Sequence, residues 1–434
     1  MVFRILILAC LVSFFSCDKN DNEELCSVED CDFLNPYSFT LYPIKNGVEV
    51  AYGINFIVDG AGKSCLPEKL QFFISDDNVK FEEVDKKDEE DNSFVIENLD
   101  DGKIYFLKMI NYHSTLDSHD SPIRSIVPGN VKFPRLVENP IQFNQDAVED
   151  IRVSPNGNRF VFRRNTNDWR VGELNVIGSG KEVFQNAFQG EWNPNSSEDI
   201  SFVQDTLVDI LESLQGRTSR ALVNVNINTG EKDILHLITD VYDFNDDVFS
   251  PEQYWIHEFH YSLDGQSIHL LSNKENGSIN TFEKKVYENL FRLDLKSKDL
   301  YPISDFLSAQ FDLVDFIEDP KNHGNFYLIG GENNQLHYYD PDKRELSPID
   351  LDDSSISNIH INPSGDYLLF TSSRTGRSEL WSYHLSTKKL VQVTNGKFYF
   401  PSFRWQHLSW ISDSEFMVYI NMNDIWEFAI FEIG

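Results

Sequence analysis

Three stretches of the chain repeat one short phrase, and that phrase limits what the chain can fold into. Val153-Ser154-Pro155-Asn156-Gly157 precedes Arg159-Phe160-Val161-Phe162, and Tyr261-Ser262-Leu263-Asp264-Gly265 precedes Ser267-Ile268-His269-Leu270. Ile361-Asn362-Pro363-Ser364-Gly365 precedes Tyr367-Leu368-Leu369-Phe370. Each copy reads as strand, tight turn, strand. Proline presets the first corner, Asn, Asp or Ser caps it, and glycine takes the positive φ. The copies stand about 100 residues apart, roughly twice the length of a four-stranded repeat, so a degenerate copy is expected within each interval. Trp192-Asn193-Pro194-Asn195 and Glu318-Asp319-Pro320 fill the intervals, and Trp410-Ile411-Ser412-Asp413 adds a sixth unit after the third clear copy.

Each unit then supplies two more strands. Glu379-Leu380-Trp381-Ser382-Tyr383-His384 followed by Leu390-Val391-Gln392-Val393 is the clearest pair. Four strands per unit around a ring make a β-propeller, so residues 132–434 are expected to form six blades. Residues 356–395 resemble the TolB-type propeller repeat, a blade that also occurs in prolyl-peptidase-like enzymes. The resemblance implies a fold and no activity. No hydrolase domain is expected beyond the sixth unit. That unit shows three strands, at Phe403–Trp410, Glu415–Asn421 and Ile425–Glu432. Lys132-Phe133-Pro134-Arg135-Leu136-Val137-Glu138-Asn139 resembles the outer strand of other units, so residues 132–139 are predicted to complete the last blade and close the ring.

Residues 33–131 carry a different pattern: about seven short β runs separated by turns at Asn46-Gly47, Asp59-Gly60, Asp76-Asp77-Asn78 and Asp101-Gly102. Seven strands in about 100 residues predict a small two-sheet sandwich. Phe94-Val95-Ile96-Glu97-Asn98-Leu99, then Asp101-Gly102, then Tyr105, resembles the corner of a fibronectin type III domain, where leucine and tyrosine pin the two sheets. The whole chain therefore reads as all-β, an Ig/fibronectin-like sandwich followed by a six-bladed propeller. Its supply of apolar residues, 41% hydrophobic with 34 Phe, is ample for both cores.

The first residues read as an address. Arg4 precedes an apolar run from Ile5 to Phe15, too short to span a bilayer, which ends at Ser16-Cys17. A small residue before cysteine at the end of such a run resembles the bacterial lipoprotein signal. It implies that residues 1–16 are a signal peptide and that Cys17 carries lipid. Residues 17–32 then form an acidic tether, and the run after Cys17 resembles the surface-export signal of Bacteroidota lipoproteins. The implied address is the outer membrane, at the cell surface or on its periplasmic face. Cys26, Cys31 and Cys65 allow one disulfide, Cys26–Cys31 or Cys31–Cys65, with one thiol left over.

Charge sets the partners. Seventy Asp and Glu against 37 Lys and Arg give −33, which repels phosphate backbones and excludes nucleic acid as a partner. The expected contacts are the membrane, through the lipid, and a protein or glycan ligand. No GxSxG, Walker or HExxH motif occurs, and no cofactor is implied. His260 and His360 occupy the same place in their units, and His407 lies on the last inner strand. All three are weak metal candidates against a plain reading as channel lining. Three insertions stand out: Asp205–Ser219, with helical apolar spacing, Asp240–Trp255 and Asn273–Glu288. Trp169, Tyr242, Phe244, Asp246, Asp247, Tyr254 and Trp255 combine aromatic faces with carboxylates and are the ligand-binding candidates. The leading functional reading is a lipid-anchored cell-envelope binding or scaffolding protein. Its alternative is a propeller-channel lyase or hydrolase acting on polysaccharide.

Overall fold

The computed structural model describes residues 37–54, 69–86, 92–112, 119–129, 135–136, 148–164, 169–173, 181–184, 187–207, 218–238, 256–272, 289–304, 307, 311–331, 333–351, 356–394, 408–422 and 425–433. Every regular element among them is a strand.

Among the described residues the sandwich uses eight strands. They are β1 (Tyr37–Ile44), β2 (Gly47–Ile54), β3 (Lys69–Ser75), β4 (Glu82–Glu83), β5 (Ser93–Glu97), β6 (Tyr105–Tyr112), β7 (His119–Asp120) and β8 (Arg124–Ile126). One sheet runs β1-β2-β5, the other β4-β3-β6-β7, with β8 also paired to β6. The β1–β2 hairpin closes through Lys45-Asn46, and Asn46 takes φ 55°. Alternation sends Phe39, Val48, Val50, Phe72, Phe94, Leu107 and Met109 into one shared core. Phe72 sits edge-on to Phe39 and Phe94, with ring centroids 5.8 and 4.9 Å away. The predicted corner is present: the Asp100 amide donates to Tyr105 Oη at 3.1 Å, and Leu99 packs on the core.

The repeat phrase folds as read. Gly157, Gly265 and Gly365 have φ of 70°, 68° and 69°, and their amides donate to Ser154, Ser262 and Asn362 carbonyls at 2.8–2.9 Å. Among the described residues the turns connect strands of six four-stranded antiparallel sheets, five of them simple meanders in chain order. The innermost strands are Val148–Val153, Ala187–Trp192, Ile256–Tyr261, Leu313–Glu318, Ile356–Ile361 and Leu408–Trp410, in blades one to six. The sixth sheet takes its outer strand from elsewhere. β9 (Arg135–Leu136) pairs antiparallel with Ile425–Glu432, Leu136 opposite Ala429 and Arg135 opposite Ile430. The latch forms as predicted over these two residues; the remainder of 132–139 lies outside the described residues.

Apolar clusters fill the spaces between neighbouring blades. Each seam also carries a hydrogen bond. Trp192 Nε1 donates to the Arg152 carbonyl at 3.0 Å, Ser201 and Tyr261 hydroxyls meet at 2.6 Å, and the Leu263 amide donates to Glu318 at 3.1 Å. The Ile359 amide donates to Asp315 at 2.9 Å, the Ser364 amide to Asp413 at 2.7 Å, and the Val153 amide to Ser409 Oγ at 2.8 Å. The fold is a closed six-bladed β-propeller carrying a two-sheet sandwich.

The sandwich docks on the hairpin between the second and third strands of blade five. The Leu41 amide donates to the Thr375 carbonyl and the Ser125 amide to the Arg374 carbonyl, each at 2.9 Å. Arg377 donates to Tyr42 Oη at 3.3 Å. Gly376 leaves no room for a side chain here, because a Cβ would stand 2.5 Å from the Phe39 carbonyl oxygen.

Candidate functional site

The inner strands carry a register that brings chemistry to the propeller axis. Two residues before the start of each turn stand Arg152, Glu191, His260, Ile317, His360 and Ser409 in blades one to six. Two residues earlier stand Asp150, Gln189, Glu258, Asp315 and Asn358 in blades one to five. Beside this second set the pairing with the next strand slips in all five blades, for example between Val148 and Asp150 and between Ile256 and Glu258. A bulge of this kind re-aims the side chains next to it.

In blades one to three the result is a buried ion chain. Arg152 meets Asp150 at 2.8 Å through one nitrogen and Glu191 at 3.0 Å through Nε. Glu191 also meets His260 Nδ1 at 3.2 Å, and His260 Nε2 meets Glu258 at 3.1 Å. Burial opposes charge on His260, but its bonds to Glu191 and Glu258 outweigh it and push the imidazole to about 10, so it is a cation at neutral pH. Burial likewise raises Glu191, but Arg152 and His260 overcome it and hold the carboxyl below the usual range.

Two carboxyls behave differently. Burial pushes Asp150 up to about 7, although Arg152 and Arg163 pull it down. Burial, and then the negative charge of Glu258, raises Asp315 well above the carboxylate range, so it holds a proton toward Glu258. Asp315 meanwhile accepts from the amides of Phe316 and Ile359, at 2.7 and 2.9 Å. The chain thus reads cation, anion, cation, anion across three blades, closed by one protonated acid on the fourth.

His360 joins the same ring without joining the ion chain. Burial, and then the charges of Arg152 and His260, push it well below its ordinary value, so it is neutral. Its Nε2 is buried without a hydrogen-bond partner. Both nitrogens of His260 are occupied by carboxylates, so this histidine is spent on the ion chain. Among the described residues no group of three or more His, Cys, Asp or Glu is arranged to hold a metal ion. His407 lies outside the described residues.

Of the predicted ligand-binding residues, Trp169 is placed and is a correction. It begins the third strand of blade one, is fully buried, donates from Nε1 to the Ala187 carbonyl at 3.1 Å, and packs on Phe202 with ring centroids 5.1 Å apart. It is blade core and presents no face to a ligand. Tyr242, Phe244, Asp246, Asp247, Tyr254 and Trp255 lie outside the described residues, as do Cys17, Cys26, Cys31 and Cys65. The expected helix across Asp205–Ser219 is corrected at both ends: strand Asp199–Leu207 pairs through Leu207 with Thr218 of the next strand. The ladder continues through these two ends; residues 208–217 lie outside the described residues.

Sequence reasoning found His260 and His360 but missed Arg152, Glu191, Asp150, Glu258 and Asp315. The signal was available. Arg152 and Glu191 hold the same place relative to the turn as the two histidines.

No protein-family model matches the sequence, and no curated protein matches it. Solved structures similar to this chain include TolB from Acinetobacter baumannii, with 10% identity over 82% of this chain and 79% of that one and a TM-score of 0.41. A putative TolB from Agrobacterium tumefaciens shares 12% identity over 66% and 91%, TM-score 0.42. An oligogalacturonate lyase from Vibrio parahaemolyticus shares 11% identity over 76% and 86%, TM-score 0.43.

Proposed function

We propose that the protein is a lipid-anchored cell-envelope binding or scaffolding protein, tethered to the outer membrane through Cys17 and presenting one end of the propeller to a protein or glycan. One observation carries the reading. The blade-five hairpin that receives the sandwich leaves the ring from the end where second strands finish and third strands begin. The segments after Leu207 and Ser272 depart from that same end, as does the segment joining Ile238 to Ile256. The three longest insertions therefore leave and rejoin the ring at the end that carries the sandwich, with blade two standing across the ring from blade five. Long loops on a rigid scaffold are where propellers and sandwiches bind. The Asp240–Trp255 segment supplies aromatics and carboxylates suited to a sugar or a basic protein surface. The sheet orders and the Tyr105 corner support reading the sandwich as fibronectin type III-like.

Two experiments test this. Cys17→Ala should move the protein from the membrane to the soluble fraction and remove the lipid mass; a variant that still pellets defeats the anchor. On a glycan array, deletion of Phe244–Phe249 should abolish the wild-type signal while the melting temperature stays unchanged. Loss of the fold instead makes the segment structural.

A second reading, a channel lyase or hydrolase, is favoured by Asp150 near 7 and by the unpartnered Nε2 of His360 on the same ring. It predicts release of reducing ends from a polysaccharide panel by the wild type and loss of that release in His360→Ala. No release by the wild type sinks it.

A further inference from the structure

A cavity of about 530 Å³ lies between the sandwich and the propeller, within the size range of small-molecule sites. Its walls come from both bodies. Ile123 and Arg124 enter from the sandwich beside β8; Ile349, Asp350 and Leu351 follow the outer strand of blade four; Arg374 belongs to the blade-five hairpin. The cavity therefore exists only when the two domains are docked, and it is separate from the axial ion chain.

Arg124 is the telling residue. Among the described residues no carboxylate meets its guanidinium. One terminal nitrogen reaches the Ser373 carbonyl at 3.5 Å, the group stacks over the Phe39 ring at 5.4 Å, and Nε is buried with no hydrogen-bond partner. Burial depresses its basicity, with no neighbouring anion to offset the effect. In a chain carrying −33, a half-buried guanidinium without a counter-ion is an exception. A second guanidinium, Arg374, lines the same cavity. It is held over the Trp381 ring at 4.7 Å and donates to the Leu351 carbonyl at 3.0 Å. Ile123, Ile349 and Leu351 give the cavity an apolar patch within a wall that also carries Asn78, Ser125, Gln335 and Asp350, and Ile123 remains 49% exposed at the mouth.

We infer that this interdomain cavity binds an organic carboxylate with an apolar body. The carboxylate completes Arg124, with Arg374 behind it, through charge-assisted hydrogen bonds, and the body lies on the isoleucine and leucine wall. Asp350 on the same wall and the acidic surface disfavour polyanions. This site does not depend on the lipid anchor or on ligand capture by the propeller loops.

The test is calorimetric titration of the purified full chain with 1-naphthoate and with its neutral isostere, 1-naphthamide. One-to-one binding of the naphthoate is expected, at least tenfold tighter than the amide, with Arg124→Gln weakening it at least tenfold and leaving the amide unchanged. Because Arg124 also touches the docking hairpin, Ile123→Trp provides an independent arm: it fills the mouth from an exposed position and should abolish binding while the melting temperature holds. Equal binding of acid and amide, or undiminished binding in Ile123→Trp, overturns the proposal. Inorganic phosphate competing as well as the naphthoate would mark a bare anion site and overturn it equally.

Discussion

The sandwich and the propeller solve the same problem at their centres with opposite chemistry. Two sheets laid face to face enclose a slab, and the sandwich fills it with Phe39, Phe72, Phe94 and their aliphatic neighbours. Six sheets packed side by side bury their faces against one another and leave an axis where only strand edges and a few side chains converge. There the molecule uses Arg152, Glu191, His260 and Glu258 in an ion chain. The sandwich is held by area removed from water, which is insensitive to pH. The axis is held by compensated charge, which stays compensated only while every member is present and correctly protonated.

Mutations at each centre should separate these two modes. Phe72→Ala should cost the sandwich about 4 kcal/mol in urea unfolding, equally at pH 5 and pH 8, because it removes a fully buried ring and leaves a cavity. A pH-dependent loss there would break the contrast. Glu191→Gln should cost the propeller about 3 kcal/mol, because it deprives Arg152 and His260 of their shared anion inside the fold.

Asp150→Asn sharpens the contrast through pH. The folded carboxyl titrates near 7 and the unfolded one near 3.8, so the fold favours the protonated acid. Wild-type stability from this group is therefore lost as pH rises between those values, and the asparagine variant escapes that loss. Between pH 5 and pH 8 the variant should gain about 2 kcal/mol on the wild type, read as a relative rise in melting temperature. A constant difference across that window would remove Asp150 from the titrating set. The smallest effect is expected at the latch. Leu136→Pro should cost about 1 kcal/mol and speed amide hydrogen exchange at Ala429 and Ile430, since proline interrupts an outer ladder only.

The same contrast explains what could be read from the chain. Strand alternation and turn chemistry are local, so Gly157, Gly265 and Gly365 announced the blades, and the missing fourth strand of the last unit announced the latch. The Leu99–Tyr105 corner was equally visible. The ion chain was legible only as a shared register of Arg152, Glu191, His260 and His360, because a charged residue at alternate positions of a strand has the same pattern whether it faces water or an axis. Only the ring closure decides between the two, and closure is a property of all six units together. The bulges that re-aim Asp150 and Glu258 leave no mark in the residues themselves. Trp169 was misplaced for a related reason: a tryptophan beside a polar stretch reads as a loop residue until the third strand of its blade is seen to begin there.

The latch also imposes an order of events. Leu136 and Ala429 are about 290 residues apart, so the pairing that seals the ring is among the most distant contacts in the chain. During synthesis the segment bearing β9 emerges early and has no partner until the sixth blade has been made. Until then an incomplete propeller exposes an unpaired strand edge on its newest blade, and that edge invites pairing with other chains. A chain crossing a membrane as an extended thread avoids the hazard if it folds only after the sixth blade has arrived. A premature stop anywhere in the last blade would leave a ring that can curl but never shut.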